Sequence, residues 1–174
     1  METLVQNLLK ITKIDAGSIG FEKAKENVAD MMQEVKLHFV YRGRQEQKEI
    51  VLSGSDEVFL NCDRDWLMEA IDNIVKNALD HTESGATISI EWKSLSSGVQ
   101  ISVKDNGYGI HPEDLHHIFK RFYRSRFSKD SQGIGLGLPL AKAIVEAHDG
   151  IIEVDSELGK GTIFTMNFLI PTKL

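Results

Sequence analysis

The sequence predicts an α+β fold in two layers, a mixed and mostly antiparallel sheet covered on one face by helices. Two stretches carry that expectation. In the first, Leu67, Ala70, Ile71, Ile74, Val75, Ala78 and Leu79 recur at helical spacing up to about Asp80; strands Thr87 to Leu95 and Val99 to Lys104 follow, joined by Ser96-Ser97-Gly98. In the second, a helix from Leu138 to His148 ends before Gly150, and strands Ile151 to Val154 and Thr162 to Leu169 flank the turn Gly159-Lys160-Gly161. A helix with one apolar stripe must bury it, and a neighbouring hairpin supplies the surface.

The remaining elements follow in chain order. Leu4, Val5, Leu8, Leu9, Ile11 and Ile14 draw a stripe along an N-terminal helix that needs a partner surface, and Asp15-Ala16-Gly17-Ser18 with Gly20 breaks it into a linker. Val28, Met31, Met32, Val35, Phe39 and Val40 mark a second helix, ending at the polar segment Arg42 to Lys48. Ile50 to Leu52 and Val58 to Leu60 are short strands flanking the turn Ser53-Gly54-Ser55-Asp56. Asp63 suits an N-cap, with Asp65 at the positive end of the helix dipole. Residues 105 to 137 form a loop with a short helix after Pro112.

Composition bounds the function. With 174 residues, 41% hydrophobic and 26% charged, one full core is expected, and a net charge of -6 argues against a phosphate-backbone binder such as a nucleic-acid protein. The single cysteine, Cys62, excludes an internal disulfide and reads as a small semi-buried apolar residue. No apolar run approaches the roughly 20 residues of a membrane span, and no signal peptide opens the sequence.

Three features point to chemistry. Asn73 and Asn77 lie one turn apart on one helix face, and an amide carbonyl is a hard oxygen ligand suited to Mg2+, although helical asparagines more often face water. Asp105-Asn106-Gly107-Tyr108-Gly109-Ile110 follows a strand, where a carboxylate can accept from an amino group such as adenine N6; a polar turn is the equal alternative. Gly133-Ile134-Gly135-Leu136-Gly137-Leu138 leads into a helix whose free N-H groups suit phosphates, or else serves as a flexible hinge. It matches neither the Rossmann nor the Walker A pattern.

Together these segments resemble a known family. Asp72 to Leu79 resembles the N box, Asp105 to Ile110 the G1 box, Phe119-Lys120-Arg121-Phe122-Tyr123-Arg124 the F box, Gly133 to Leu138 the G2 box and Gly159-Lys160-Gly161-Thr162 the last glycine box. These belong to the histidine-kinase branch of the superfamily shared with DNA gyrase and mismatch-repair ATPases. The resemblance implies a Bergerat-type sandwich with a mobile ATP lid, binding ATP and Mg2+. It implies that Asn77 ligates the metal with Asn73 at the phosphates, and that Asp105 recognises adenine. Gly107, Gly109 and Ile110 would shape the base pocket, Gly133, Gly135, Leu136 and Gly137 the phosphate side, and Thr162 would assist adenine through water. Arg124 would reach the γ-phosphate, with Tyr123 beside the nucleotide and Phe119, Phe122 and Tyr123 also anchoring the lid. Many relatives carry a basic residue where Asp80 stands here, so Asp80, an unscreened carboxylate, is given no phosphate contact. His81 borders the nucleotide or faces solvent.

The same resemblance bears on the reaction. Hydrolytic members place a general base one turn before the metal-binding Asn, where Asn73 cannot take a proton. Transfer to a histidine on another domain is therefore expected. None of the six histidines sits in the acceptor pattern of that family, and the adjacent His116 and His117 have no further ligand at zinc-like spacing. Residues 1-25 would be the end of a second dimerisation helix and its linker, and 26-174 the catalytic domain. The implied partners are the histidine-bearing dimerisation domain and a response regulator. The implied location is cytoplasmic, on a longer parent anchored in the bacterial membrane. The alternative is a degenerate nucleotide-binding regulatory module without phosphotransfer.

Overall fold

The computed structural model describes residues 2–127 and 135–170. The central packing follows from strand alternation. In β7 (Gly161–Leu169), Thr162, Phe164, Met166 and Phe168 are buried while the residues between them are half-buried, so one face of the strand is apolar. That strand lies between β5 (Gly98–Asp105) and β6 (Gly150–Glu157), antiparallel to both. On the far side β5 pairs with β4 (Thr87–Leu95), and β4 pairs in parallel with β2 (Glu49–Gly54), giving a five-stranded order β2-β4-β5-β7-β6. The expected mixed, mostly antiparallel sheet is what forms.

Three helices supply the second layer. In α3 (Arg64–Asp80), Leu67, Ile71, Ile74, Val75 and Leu79 are inaccessible to solvent, so its stripe is consumed by the core. Asp63 caps it, accepting from Trp66 N-H at 3.3 Å. Helix α4 (Gly137–Ala147) packs beside α3, with Leu140, Ala141, Ile144 and Val145 fully buried, and α2 (Val28–Glu46) contributes Val28, Met31, Met32 and Val35.

Several expectations need correction. Helix α2 does not end at Arg42. Arg42 bonds Glu46 one turn on at 2.7 Å, and the helix closes only where Gln47 adopts φ 55 and Lys48 N-H donates to Gly43 O at 2.8 Å. A strand β1 (Ala24–Asn27) precedes it without apolar alternation, specified by its partner β3 (Phe59–Cys62) in a separate two-stranded sheet. The two strands flanking residues 53 to 56 are therefore not sheet partners. After Pro112 there is no helix: Asp114, His117 and Lys120 N-H groups each donate to the carbonyl three residues back, giving successive separate turns. Cys62 is wholly buried rather than half-buried, its thiol against the Met31 sulfur.

The N-terminal helix α1 (Glu2–Asp15) splits its stripe. Ile11 is buried at 1% exposure and Lys10 pairs with Glu69 on α3 at 2.6 Å, whereas Val5 and Leu9 remain 56% and 52% exposed. Asp15 also pairs with Arg121. The linker beyond is tied down: Glu22 N-H donates to Asp63 at 2.8 Å, and Phe21 packs edge-on against Trp66 and His148.

His148 is the junction of these parts. Its Nε2 accepts from Asp63 N-H at 3.1 Å and its Nδ1-H donates to Ile144 O at 2.7 Å, which fixes the neutral tautomer. Burial holds its pKa below the ordinary imidazole value, outweighing the Ile144 carbonyl; Lys23 lowers it further, while Asp63 and Asp149 oppose. The unfolded chain therefore binds a proton that the folded one refuses, so stability is complete above the ordinary value and falls as pH drops below it. Urea unfolding between about pH 7.5 and 5.5 should show declining stability, with a slope shallower in His148→Gln than in wild type.

Candidate nucleotide site

The site begins on the flank of α3. Asn73 and Asn77 stand on successive turns beside the buried stripe, both half-buried. A methyl built on Gly137 would lie 3.7 Å from Asn73 Oδ1, so this asparagine abuts the start of α4. Among the described residues its buried Nδ2 has no hydrogen-bond partner, an arrangement that costs about 1–3 kcal/mol unless something accepts from it. Leu136, at the N-cap, has helical backbone angles and makes no side-chain cap to the N-H groups of Gly137 and Leu138, while Pro139 has none to offer. A side chain with an unpaired buried donor thus stands beside a helix start without a side-chain cap, its Oδ1 toward Gly137, and N-H donors of either kind suit phosphate oxygens.

The second wall is the end of β5. Asp105 pairs in register with Thr162 and is 4% exposed. Burial pushes its carboxyl pKa up; the Gly107 N-H, 2.9 Å from Oδ1, and the Thr162 backbone only partly offset this. Close approach explains the glycines that follow. A Cβ on Gly107 would fall 2.1 Å from His81 O, and Gly109, at φ +76, would collide with Glu157 O at 2.3 Å. The loop is thereby wedged between the end of α3 and the β6–β7 hairpin, with Tyr108 N-H on His81 O and Gly159 N-H on Tyr108 O.

Ser156, which nothing in the sequence singles out, completes this wall. Its hydroxyl accepts from Ile110 N-H at 2.7 Å, donates to Gly161 O at 3.0 Å and lies 2.8 Å from the Thr162 hydroxyl. Ile110 and Thr162 are joined through it. An alternating strand carries no signal for such a role: Ser156 shares the covered face with Ile152 and Val154, and a small polar residue at the end of that face reads as the strand fraying into solvent.

The third wall is the F-box segment. Phe119 meets Phe164 edge-on at 6.2 Å, and Phe122 N-H donates to Gly135 O at 3.0 Å, which joins the F-box segment to the glycine run before α4. Tyr123 directs its hydroxyl to Asp114, so its contact is with the turns after Pro112. Arg124 is exposed beside it. Gly133, Ile134 and most of the segment expected to be a mobile lid lie outside the described residues.

Asp80 is not the unscreened charge the sequence suggests. Arg42 holds one oxygen at 2.6 Å and Lys76 the other at 2.9 Å. Although burial opposes it, these bonds keep the Asp80 carboxyl below the usual range. Among the described residues no group of three or more His, Cys, Asp or Glu side chains could hold a metal, so a cation here would depend on amide oxygen and on ligand oxygens. Nor is any described helix long and apolar enough to cross a membrane.

Comparison with known proteins shows the family and the fold. Residues 62–172 match the family "Histidine kinase-, DNA gyrase B-, and HSP90-like ATPase". The chain is 32% identical over 180 aligned positions to the sensor protein SrrB of Staphylococcus aureus, covering 98% of this chain but only 30% of SrrB. It therefore spans about a third of the curated relatives it matches. In fold it resembles full-length ShkA in complex with AMPPNP, with TM-score 0.84 and 24% identity, covering 99% of this chain and 37% of that one. It also resembles the histidine kinase ThkA in complex with response regulator TrrA, with TM-score 0.75 and 22% identity, covering 97% and 48%. With the family match covering the α3 asparagines, Asp105 and both hairpins, the chain belongs to the histidine kinase-, DNA gyrase B- and HSP90-like ATPases.

Proposed function

We propose that this chain binds ATP with Mg2+ and positions the γ-phosphate for transfer to a histidine on the dimerisation domain of a sensor histidine kinase. The observation that carries the reading is the buried Asn73 Nδ2, without a partner among the described residues, on a side chain that abuts the start of α4: a triphosphate would bring it an acceptor. Asn73 and the α4 N-H groups would hold phosphate oxygens, with Gly133, Gly135, Leu136 and Gly137 as the surrounding loop. Asn77 would supply an oxygen to magnesium. When bound, that cation offsets charge on the phosphates. Asp105 would accept from adenine N6, in a pocket shaped by Gly107, Gly109, Ile110 and, through water, Thr162; Tyr123, turned to Asp114, would serve the segment that carries Arg124. Arg124 would stabilise charge on the transferred group.

Hydrolysis is disfavoured, because an amide at position 73 cannot deprotonate water. Residues 1-25 would be the end of a dimerisation helix and its linker, with the catalytic domain in 26-174, which accords with α1 docking on α4. The further partner would be a response regulator, as in the ThkA complex, and the parent would present this domain in the cytoplasm from the bacterial membrane. A degenerate regulatory module is the second reading, favoured only by Asp80 and its ion pairs in a place where many relatives carry a base.

Two measurements bear on this. In calorimetric titration, Asp105→Asn should weaken ATP and ADP alike by about tenfold or more while the domain stays folded; unchanged affinity removes the adenine assignment. Asn77→Ala should abolish the gain in ATP affinity from magnesium and reduce phosphotransfer to a supplied histidine-bearing domain by about 100-fold or more. Binding without any transfer by the unmodified chain would favour the regulatory module.

A further inference from the structure

Asp114 lies outside every motif recognised in the sequence, yet it is a carboxylate only 3% exposed on a surface segment. Its oxygens divide between two residues. Oδ1 accepts the Tyr123 hydroxyl at 2.5 Å and Oδ2 accepts the Ser125 hydroxyl. Asp114 is itself held, its N-H donating to His111 O at 2.8 Å and its carbonyl accepting from His117 N-H at 2.7 Å. The surrounding rings brace the same contact: His111 stacks on Phe127 at 3.9 Å and His117 lies 5.3 Å from the Tyr123 ring. Ser125 Oγ also accepts from Phe127 N-H at 3.0 Å.

Tyr123 and Ser125 are the immediate neighbours of Arg124. Two side chains separated by one residue reach one carboxylate only if the chain carries the middle side chain elsewhere, and Arg124 is indeed exposed. We propose that Asp114 is a positioning residue for Arg124, a two-pronged clamp that fixes the backbone on both sides of the arginine and so sets where its guanidinium reaches. This rests on the reading of Arg124 as the group that meets the γ-phosphate. Burial alone would raise the Asp114 carboxyl, but the two hydroxyls keep it below its ordinary value, so at neutral pH it is ionised and both oxygens accept. A displacement of about 1 Å in such a group can lower turnover about 100-fold, since transfer depends on placement more than on affinity.

The test is phosphotransfer from ATP to a histidine-bearing dimerisation domain. Asp114→Ala should lower kcat and kcat/KM together by about 10- to 100-fold, with KM for ATP within about threefold. Arg124→Ala should lose at least as much, and the double variant no more than Arg124→Ala alone, because the clamp has nothing left to position. Tyr123→Phe combined with Ser125→Ala removes both prongs without touching Asp114 and should reproduce its loss, which keeps the test open if Asp114→Ala does not fold. Wild-type kcat in the clamp variants beside an impaired Arg124→Ala, or multiplied losses in the double variant, overturns the clamp alone. Wild-type kcat in Arg124→Ala removes the arginine's role and the clamp with it.

Discussion

The packing of α3 against the sheet is the constraint on which the rest depends. Its stripe from Leu67 to Leu79 is sealed in the core, so the helix cannot rotate without exposing apolar surface worth several kcal/mol. That fixed rotation puts Asn73 and Asn77 on the helix flank, with Asn73 against the start of α4. The same rigidity aligns the end of α3 with the strand end of β5, because Gly107 lies too close to His81 O for any side chain to intervene. The same packing buries the Asn73 Nδ2 without a hydrogen-bond partner among the described residues.

Where apolar period and element coincided, the sequence was a sufficient guide. The α3 stripe, the β4–β5 hairpin and the β6–β7 hairpin were legible because burial there is one-sided. Helix α2 past Arg42 was not legible: its last turns are held by an ion pair and by Gln47 in a left-handed conformation where glycine would have been the usual signal. Strand β1 was invisible for a related reason, since Ala-Lys-Glu-Asn has no strand preference and its conformation is imposed by β3 some 35 positions away in the register Ala24↔Cys62 to Asn27↔Phe59.

The candidate site divides along the same line. Residues in motifs with unusual composition, Asp105 and the glycines after it, could be found because backbone closeness restricts what may stand there. Ser156 and Asp114 could not, because their contributions lie in hydrogen bonds closed by the tertiary fold. Asp80 illustrates the converse error. As a letter it is a charge facing phosphate; in the structure Arg42, from a different helix, and Lys76 have already claimed it. Local sequence gives the sign of a charge, whereas its effect depends on what is folded beside it.

Cys62 carries a practical consequence of its complete burial. Desolvation, with Glu26 and Asp63 nearby, pushes its thiol up to about 12, so the nucleophilic thiolate is essentially absent under physiological conditions. The only sulfhydryl in the chain is therefore silent to alkylating and disulfide-forming reagents while the fold is intact. A cysteine engineered at a surface position could then be labelled singly, and labelling of the native thiol would report loss of the core.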